Sequence, residues 1–216
     1  MNHRTLVLAI SGLLLAAFAA AAFFQLRDIP PPQQAALAPT DRSALVRFHS
    51  PVFGPANAPV TIVEFFDPSC EACRAFYPVV KQILAENPGD VRLVIRYTLF
   101  HQGSEEVSRM LEAARRQNVF PQVLEAVLAA QPAWHDDPSV AKAWEAAAAA
   151  GLDVDQARAD MYSPGIDAVL KTDMQDVETL GVQRTPTFFV NGQPLTEFGV
   201  EQLRQLVRSE IAKAKN

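Results

Sequence analysis

The chain is 216 residues long, 49% hydrophobic and 20% charged, which describes a globular protein with enough apolar material for one sizeable core. Its net charge of −5 comes with no cluster of Lys and Arg, so it lacks the electrostatic footprint of a nucleic-acid binder. A mildly acidic balance of this size serves solubility and singles out no substrate.

At the N-terminus, Met1 to Arg4 is positively charged and Thr5 to Leu26 is a run of 22 residues without a charged side chain. About 20 apolar residues span a bilayer, whereas the core of a cleaved signal peptide has roughly 7–15. The length favours a signal-anchor helix over residues 1–27. The small residues of Ala16 to Ala22 and the triplet Ala36-Leu37-Ala38 leave a cleaved signal peptide as the alternative. In both cases the positive end stays in the cytoplasm and the rest of the chain is delivered across the inner membrane to the periplasmic side. Residues 28–57 hold Pro30, Pro31, Pro32, Pro39, Pro51 and Pro55 and are expected to form a semi-extended tether, with the folded domain over 58–213.

Val60 to Phe66 is a short β-branched and aromatic run that predicts a buried strand, and Asp67-Pro68-Ser69 breaks it. Ala72, Phe76, Val79, Val80, Ile83 and Leu84 recur at helical spacing until Asn87-Pro88-Gly89, so Cys70 is expected at a helix N-terminus. Val91 to Tyr97 predicts a second strand, parallel to the first because the segment between them is long enough for a helical crossover. A helical insertion is expected over about 100–181, with Ser104 as its N-cap, Glu105 and Glu106 in the first turn, and Glu112 placed to pair with Arg116. Pro132, Asp136-Asp137-Pro138, Gly151 and Ser163-Pro164-Gly165 divide it into several helices. Thr185 to Val190 predicts a strand, and Asn191-Gly192 a two-residue hairpin into a short strand around Leu195. Val200, Leu203, Leu206, Val207 and Ile211 form the apolar face of a terminal helix. This order specifies an α/β sheet with a helical insertion.

Cys70 and Cys73 are the only cysteines. Haem attachment is excluded because Arg74 rather than His follows Cys73, and His49, His101 and His135 stand at no spacing that completes a zinc site. No cofactor and no metal ligand set are expected. The positive end of a helix lowers the pKa of a thiol placed there, so Cys70 is expected to attack and Cys73, one turn further on, to resolve. A chain exported with a single cysteine pair uses it for chemistry rather than as a disulfide framework. His101 and His135 are expected at the surface or as caps, and Trp134 and Trp144 in a core or interface.

The segment Val63-Glu-Phe-Phe-Asp-Pro-Ser-Cys-Glu-Ala-Cys73 resembles the active site of DsbA-like thioredoxin-fold thiol:disulfide oxidoreductases, and Arg184-Thr-Pro-Thr-Phe-Phe-Val-Asn-Gly192 resembles their cis-proline strand. Pro186 lies 113 positions after Cys73, which leaves room for the helical domain that this family inserts into a thioredoxin-like fold. The resemblance implies disulfide exchange with cysteine-containing substrate proteins and a redox partner in the membrane. It implies a cis Pro186 beside the dithiol, a Thr185 backbone that pairs with extended substrate, and Glu64 as a buried acid relaying a proton to or from Cys73. Flanked by Val63, Phe65 and Phe66, Glu64 is expected to be partly buried with a raised pKa. Glu71-Ala72 departs from the Pro-His of the strong oxidases. A carboxylate at position 71 is expected to oppose the helix dipole and give a milder couple, with the redox direction open. The tether is too short for the separate dimerisation domain of the well-known isomerases, so a monomer is expected. Capture of a soft metal such as copper by the dithiol, and chaperone-like peptide binding without turnover, are the alternatives.

Overall fold

The computed structural model describes residues 42–215. The expected signal anchor and the first part of the expected tether lie outside them, and no helix among the described residues is long and apolar enough to cross a membrane. In chain order the elements are α1 (Arg42–Leu45), β1 (Val52–Phe53), β2 (Val60–Phe66), α2 (Glu71–Glu86), β3 (Val91–Tyr97), α3 (Ser104–Arg116) and α4 (Phe120–Ala130). A 3-10 turn (Gln131–Ala133), α5 (Ala141–Ala149), α6 (Val154–Asp160), α7 (Pro164–Thr179), β4 (Thr187–Val190), β5 (Gln193–Pro194) and α8 (Val200–Ala214) follow. This is the expected α/β sheet interrupted by a helical insertion.

The strands lie in the order β1-β3-β2-β4-β5. β2 and β3 run parallel with Val60 opposite Val91, and β4 runs antiparallel on the other side of β2 with Glu64 opposite Phe188. β2 is therefore central and covered on both faces, which is why its residues are apolar in continuous sequence rather than in alternation. Successive side chains still point to opposite faces. Ile62 and Phe66 join the core formed with α2, α8 and the insertion, whereas Val63 and Phe65 pack with Leu45 of α1 and Val177 of α7. Glu64 shares the face of Ile62 and Phe66, toward α2. Asn191 and Gly192 both have positive φ, 49° and 85°, as a tight two-residue hairpin turn requires, and the strand they lead into ends at Pro194.

Three expectations are corrected. The folded part begins by Arg42 rather than near Ala58. Ala44 and Leu45 of α1 are buried, and β1 pairs antiparallel with β3. The reason is a buried charge network whose members are far apart in sequence. Arg96 of β3 has no exposure and donates to Asp173 Oδ1 at 2.8 Å and Asp176 Oδ2 at 2.6 Å of α7, and to the Leu45 carbonyl at 3.1 Å. Arg47 grips Asp176 with two nitrogens, and His49 Nε2 lies 2.7 Å from Asp173 Oδ1. Second, the N-cap of α3 is Gly103 at φ 77°, and Ser104 is the first helical residue, its hydroxyl turned to Asp67. A Cβ at position 103 would come within 2.6 Å of Val140 Cγ1, so both conformation and space call for glycine there. Third, Glu112 points inward to the Tyr97 hydroxyl at 2.9 Å and pairs with Arg115 rather than Arg116. The insertion also breaks at Gln117–Val119, where Asn118 takes φ 60° without a Pro or Gly to announce it.

Replacing Arg96 by Met leaves Asp173 and Asp176 without their shared guanidinium. Urea unfolding is expected to show a loss of about 3–5 kcal/mol. Arg47→Ala, at the solvent end of the same network, is expected to cost about 1 kcal/mol or less.

Candidate active site

Cys70 caps α2 with extended backbone, φ −75° and ψ 120°, and is almost fully buried. Its N–H donates to the Asp67 carbonyl at 3.1 Å, which closes the turn leading out of β2. Its thiol donates to the carbonyl of Thr185 at 3.3 Å. The Thr185–Pro186 peptide is cis, so the two segments singled out by sequence meet here. Cys73, one turn into α2, has no exposure, and its sulfur accepts from the Asp67 N–H at 3.5 Å. No disulfide joins the two sulfurs in this structure. Among the described residues no three His, Cys, Asp or Glu side chains converge as metal ligands.

The two thiols are driven apart. Cys70 is pulled down to about 5, first by the hydrogen bond from the Cys73 thiol, against the opposing effect of burial. The Thr185 side chain and the N–H groups of Cys73 and Ala72 at the start of α2 pull in the same direction. The Thr185 hydroxyl is buried and has no partner while Cys70 is a thiol, so it stands free to donate to the thiolate. Cys73 is pushed well above 9.0, first by burial, then by the hydrogen bond it gives Cys70 and by the nearby charges of Glu64 and Cys70. Glu64 is 1% exposed, its Oε1 has no hydrogen-bond partner, and its carboxyl is pushed up to about 8 by burial and then by the Cys70 charge.

Glu71 stands at the solvent edge of the site. Its side chain is exposed, lies 3.8 Å from His135 Nε2, and is not among the groups that shift Cys70. An exposed carboxylate beside an imidazole is screened by water, so the electrostatic basis for a milder couple is weak. Ala72 contributes a backbone N–H. Trp134 and Trp144 are core residues as expected. His101 is a surface residue on one side only, because its Nδ1 lies 2.8 Å from Asp67 Oδ2.

Two further residues shape the site. Gln131, fully buried, donates to the carbonyls of Pro68 at 2.7 Å and Cys70 at 3.0 Å and accepts from Arg74 Nε at 2.9 Å, which fastens the insertion to the cysteine loop. Asp67 is buried with its carboxylate turned toward the segment before α3. Phe100 and His101 of that segment, with Arg184 and Thr185, line a shallow groove beside the cis peptide.

Residues 48–209 match the family model described as Thioredoxin. The fold is similar to a thioredoxin-like oxidoreductase from Silicibacter pomeroyi DSS-3, with TM-score 0.70 and 28% identity over 81% of this chain and 99% of that one. It is also similar to oxidised BdbD from Bacillus subtilis, TM-score 0.67, 22% identity, 76% of this chain and 94% of that one. Wolbachia pipientis alpha-DsbA1 gives TM-score 0.69 at 16% identity over 79% and 94%. Among curated proteins, a Na(+)/H(+) antiporter NhaA of Herminiimonas arsenicoxydans is 32% identical over 142 residues, 66% of this chain and 22% of the antiporter. The Na(+)/H(+) antiporter NhaA 3 of Salinispora tropica is 31% identical over 168 residues, 76% of this chain and 25% of the antiporter. The chain spans about a quarter of the length of these relatives.

Alkylation of the reduced protein by iodoacetamide is expected to follow a midpoint near pH 5 for Cys70, with Cys73 unreactive to well above pH 9. For Glu64 the raised value has a definite sign. The unfolded chain ionises near 4.5 and the folded one near 8, so the native state holds the extra proton and stability falls as pH rises between them. The Glu64→Gln protein is therefore expected to be more stable than the parent, by a margin that grows from pH 4.5 to 8 and levels off above. Denaturant titrations across that range check it.

Proposed function

The chain belongs to the thioredoxin family, and on that premise we propose that it is a DsbA-like thiol:disulfide oxidoreductase whose Cys70-Glu-Ala-Cys73 dithiol exchanges disulfides with cysteine-containing proteins, as a monomer, on the periplasmic side of the inner membrane. The observation that carries this reading is the opposite shift of two neighbouring thiols beside a buried acid whose Oε1 has no hydrogen-bond partner. The positive N-terminus and the uncharged run Thr5 to Leu26 support export, with that run as the membrane anchor and a membrane protein as redox partner.

The Cys70 thiolate attacks one sulfur of a substrate disulfide, forms a Cys70–substrate bond and releases the other substrate sulfur as a thiolate. Cys73 then gives up its proton, attacks Cys70 Sγ, closes the Cys70–Cys73 bond and releases the second substrate sulfur. Run backwards, the same steps oxidise a substrate dithiol. In the mixed disulfide Cys70 carries no charge, so one of the two effects that raise Glu64 lapses. Its ionised fraction grows at that moment, and it takes the Cys73 proton. The Thr185 main chain holds an extended substrate segment at the edge of the groove. Stabilisation of the Cys70 thiolate favours the reduced pair, so the disulfide form accepts electrons readily and its partner sets the net direction.

Insulin reduction by dithiothreitol tests the assignment. Cys70→Ser is expected to abolish the acceleration, and Cys73→Ser to accumulate a mixed disulfide visible by mass. Turnover that survives Cys70→Ser overturns it. Equilibration with glutathione is expected to move by less than about fivefold for Glu71→His, because the carboxylate it replaces is exposed.

A further inference from the structure

Asp67 touches both cysteines through its main chain and the segment before α3 through its side chain. The carboxylate, with no exposure, is surrounded by donors. Oδ1 accepts from the Ser69 N–H at 2.8 Å and from the Ser104 hydroxyl. Oδ2 accepts from the N–H of Phe100 at 2.8 Å and of His101 at 3.2 Å, and lies 2.8 Å from His101 Nδ1. With the side chain pinned at these points, the main chain has little freedom, and its N–H rests 3.5 Å from the Cys73 sulfur. A hydrogen bond to a charged group is worth roughly twice a neutral one, so this donor counts most when Cys73 becomes a thiolate. Around Cys73, burial, Glu64 and Cys70 all oppose that ionisation, and the Asp67 N–H alone favours it.

We propose that Asp67 is a positioning residue for the resolving step: its carboxylate, clamped by the segment from Phe100 to Ser104, holds its own N–H on the sulfur of Cys73 as that sulfur attacks. The same clamp ties the groove residues Phe100 and His101 to the dithiol. The inference rests on Cys73 being the resolving thiol.

Ellman's reagent, an aromatic disulfide, separates the two steps in a stopped-flow experiment. Cys70 attacks it and releases one thionitrobenzoate, leaving Cys70 in a mixed disulfide. Cys73 then loses its proton to Glu64 or water, attacks Cys70 Sγ and releases the second thionitrobenzoate, which closes the protein disulfide. The Cys73→Ser control should release one equivalent only; two equivalents from it would overturn the resolving role itself rather than the part of Asp67. Asp67→Ala is expected to slow the second phase about tenfold or more and to move its pH midpoint upward, with the first phase within about twofold of the parent. Asp67→Asn keeps one acceptor oxygen and should fall between. Ser104→Ala removes one donor, keeps the fold, and should slow the second phase by less than Asp67→Ala. A second phase and pH midpoint unchanged in Asp67→Asn and Ser104→Ala, with only the melting temperature lowered, would overturn the proposal.

Discussion

Two carboxylates three residues apart, Glu64 and Asp67, are buried under the same pair of thiols, and they are treated in opposite ways. Asp67 is ringed by N–H and O–H donors, whereas Glu64 Oε1 has none. Donors fix a buried carboxylate in place, and burial without them resists ionisation, as at Glu64. Both bear on Cys73 in opposite senses: the Asp67 N–H favours its ionisation and the Glu64 charge opposes it.

The frame itself comes from β2, hydrogen-bonded on both sides, with the cysteine loop at its end and α2 continuing from it. On one face the insertion reaches that loop through Gln131. On the other, Arg96 joins β3, α7 and the segment that carries Arg47 and His49. Removal of a fully buried partner such as Arg96 or Gln131 leaves a charge or a carbonyl buried without compensation. The dithiol thus sits on elements held from both faces, the condition for fixed geometry at a reacting sulfur.

Much of this was legible in one dimension. Val60–Phe66, Val91–Tyr97 and the helix opening at Cys70 appear in the structure at the expected residues, because continuous apolar runs and a clear helical repeat leave little else for those segments to do. The short elements before Ala58 escaped because α1 and β1, of four and two residues, are below the length at which periodicity means anything. Pro51 flanks the edge strand and Pro55 opens a turn, and the segment from Arg42 is folded by contacts with Arg96 and α7. Ser104 looked like a cap and proved a donor to Asp67, since cap propensity is local and the acceptor arrives from another loop.

By itself the sequence determined that a cysteine pair begins a helix after a buried strand, with an acid inside that strand and a Thr-Pro segment 113 positions on from Cys73, and the family follows from those residues. Only the tertiary structure decided how the pair ionises. Cys70 is set first by the hydrogen bond from Cys73 and also by Thr185, Cys73 first by burial and then by Cys70 and Glu64 against the Asp67 N–H, and Glu71, the nearest charge in sequence, is not among these groups. Electrostatic influence falls with distance and with access to water rather than with sequence separation. An exposed neighbour therefore counts for less than buried groups brought together from residues 64 to 185.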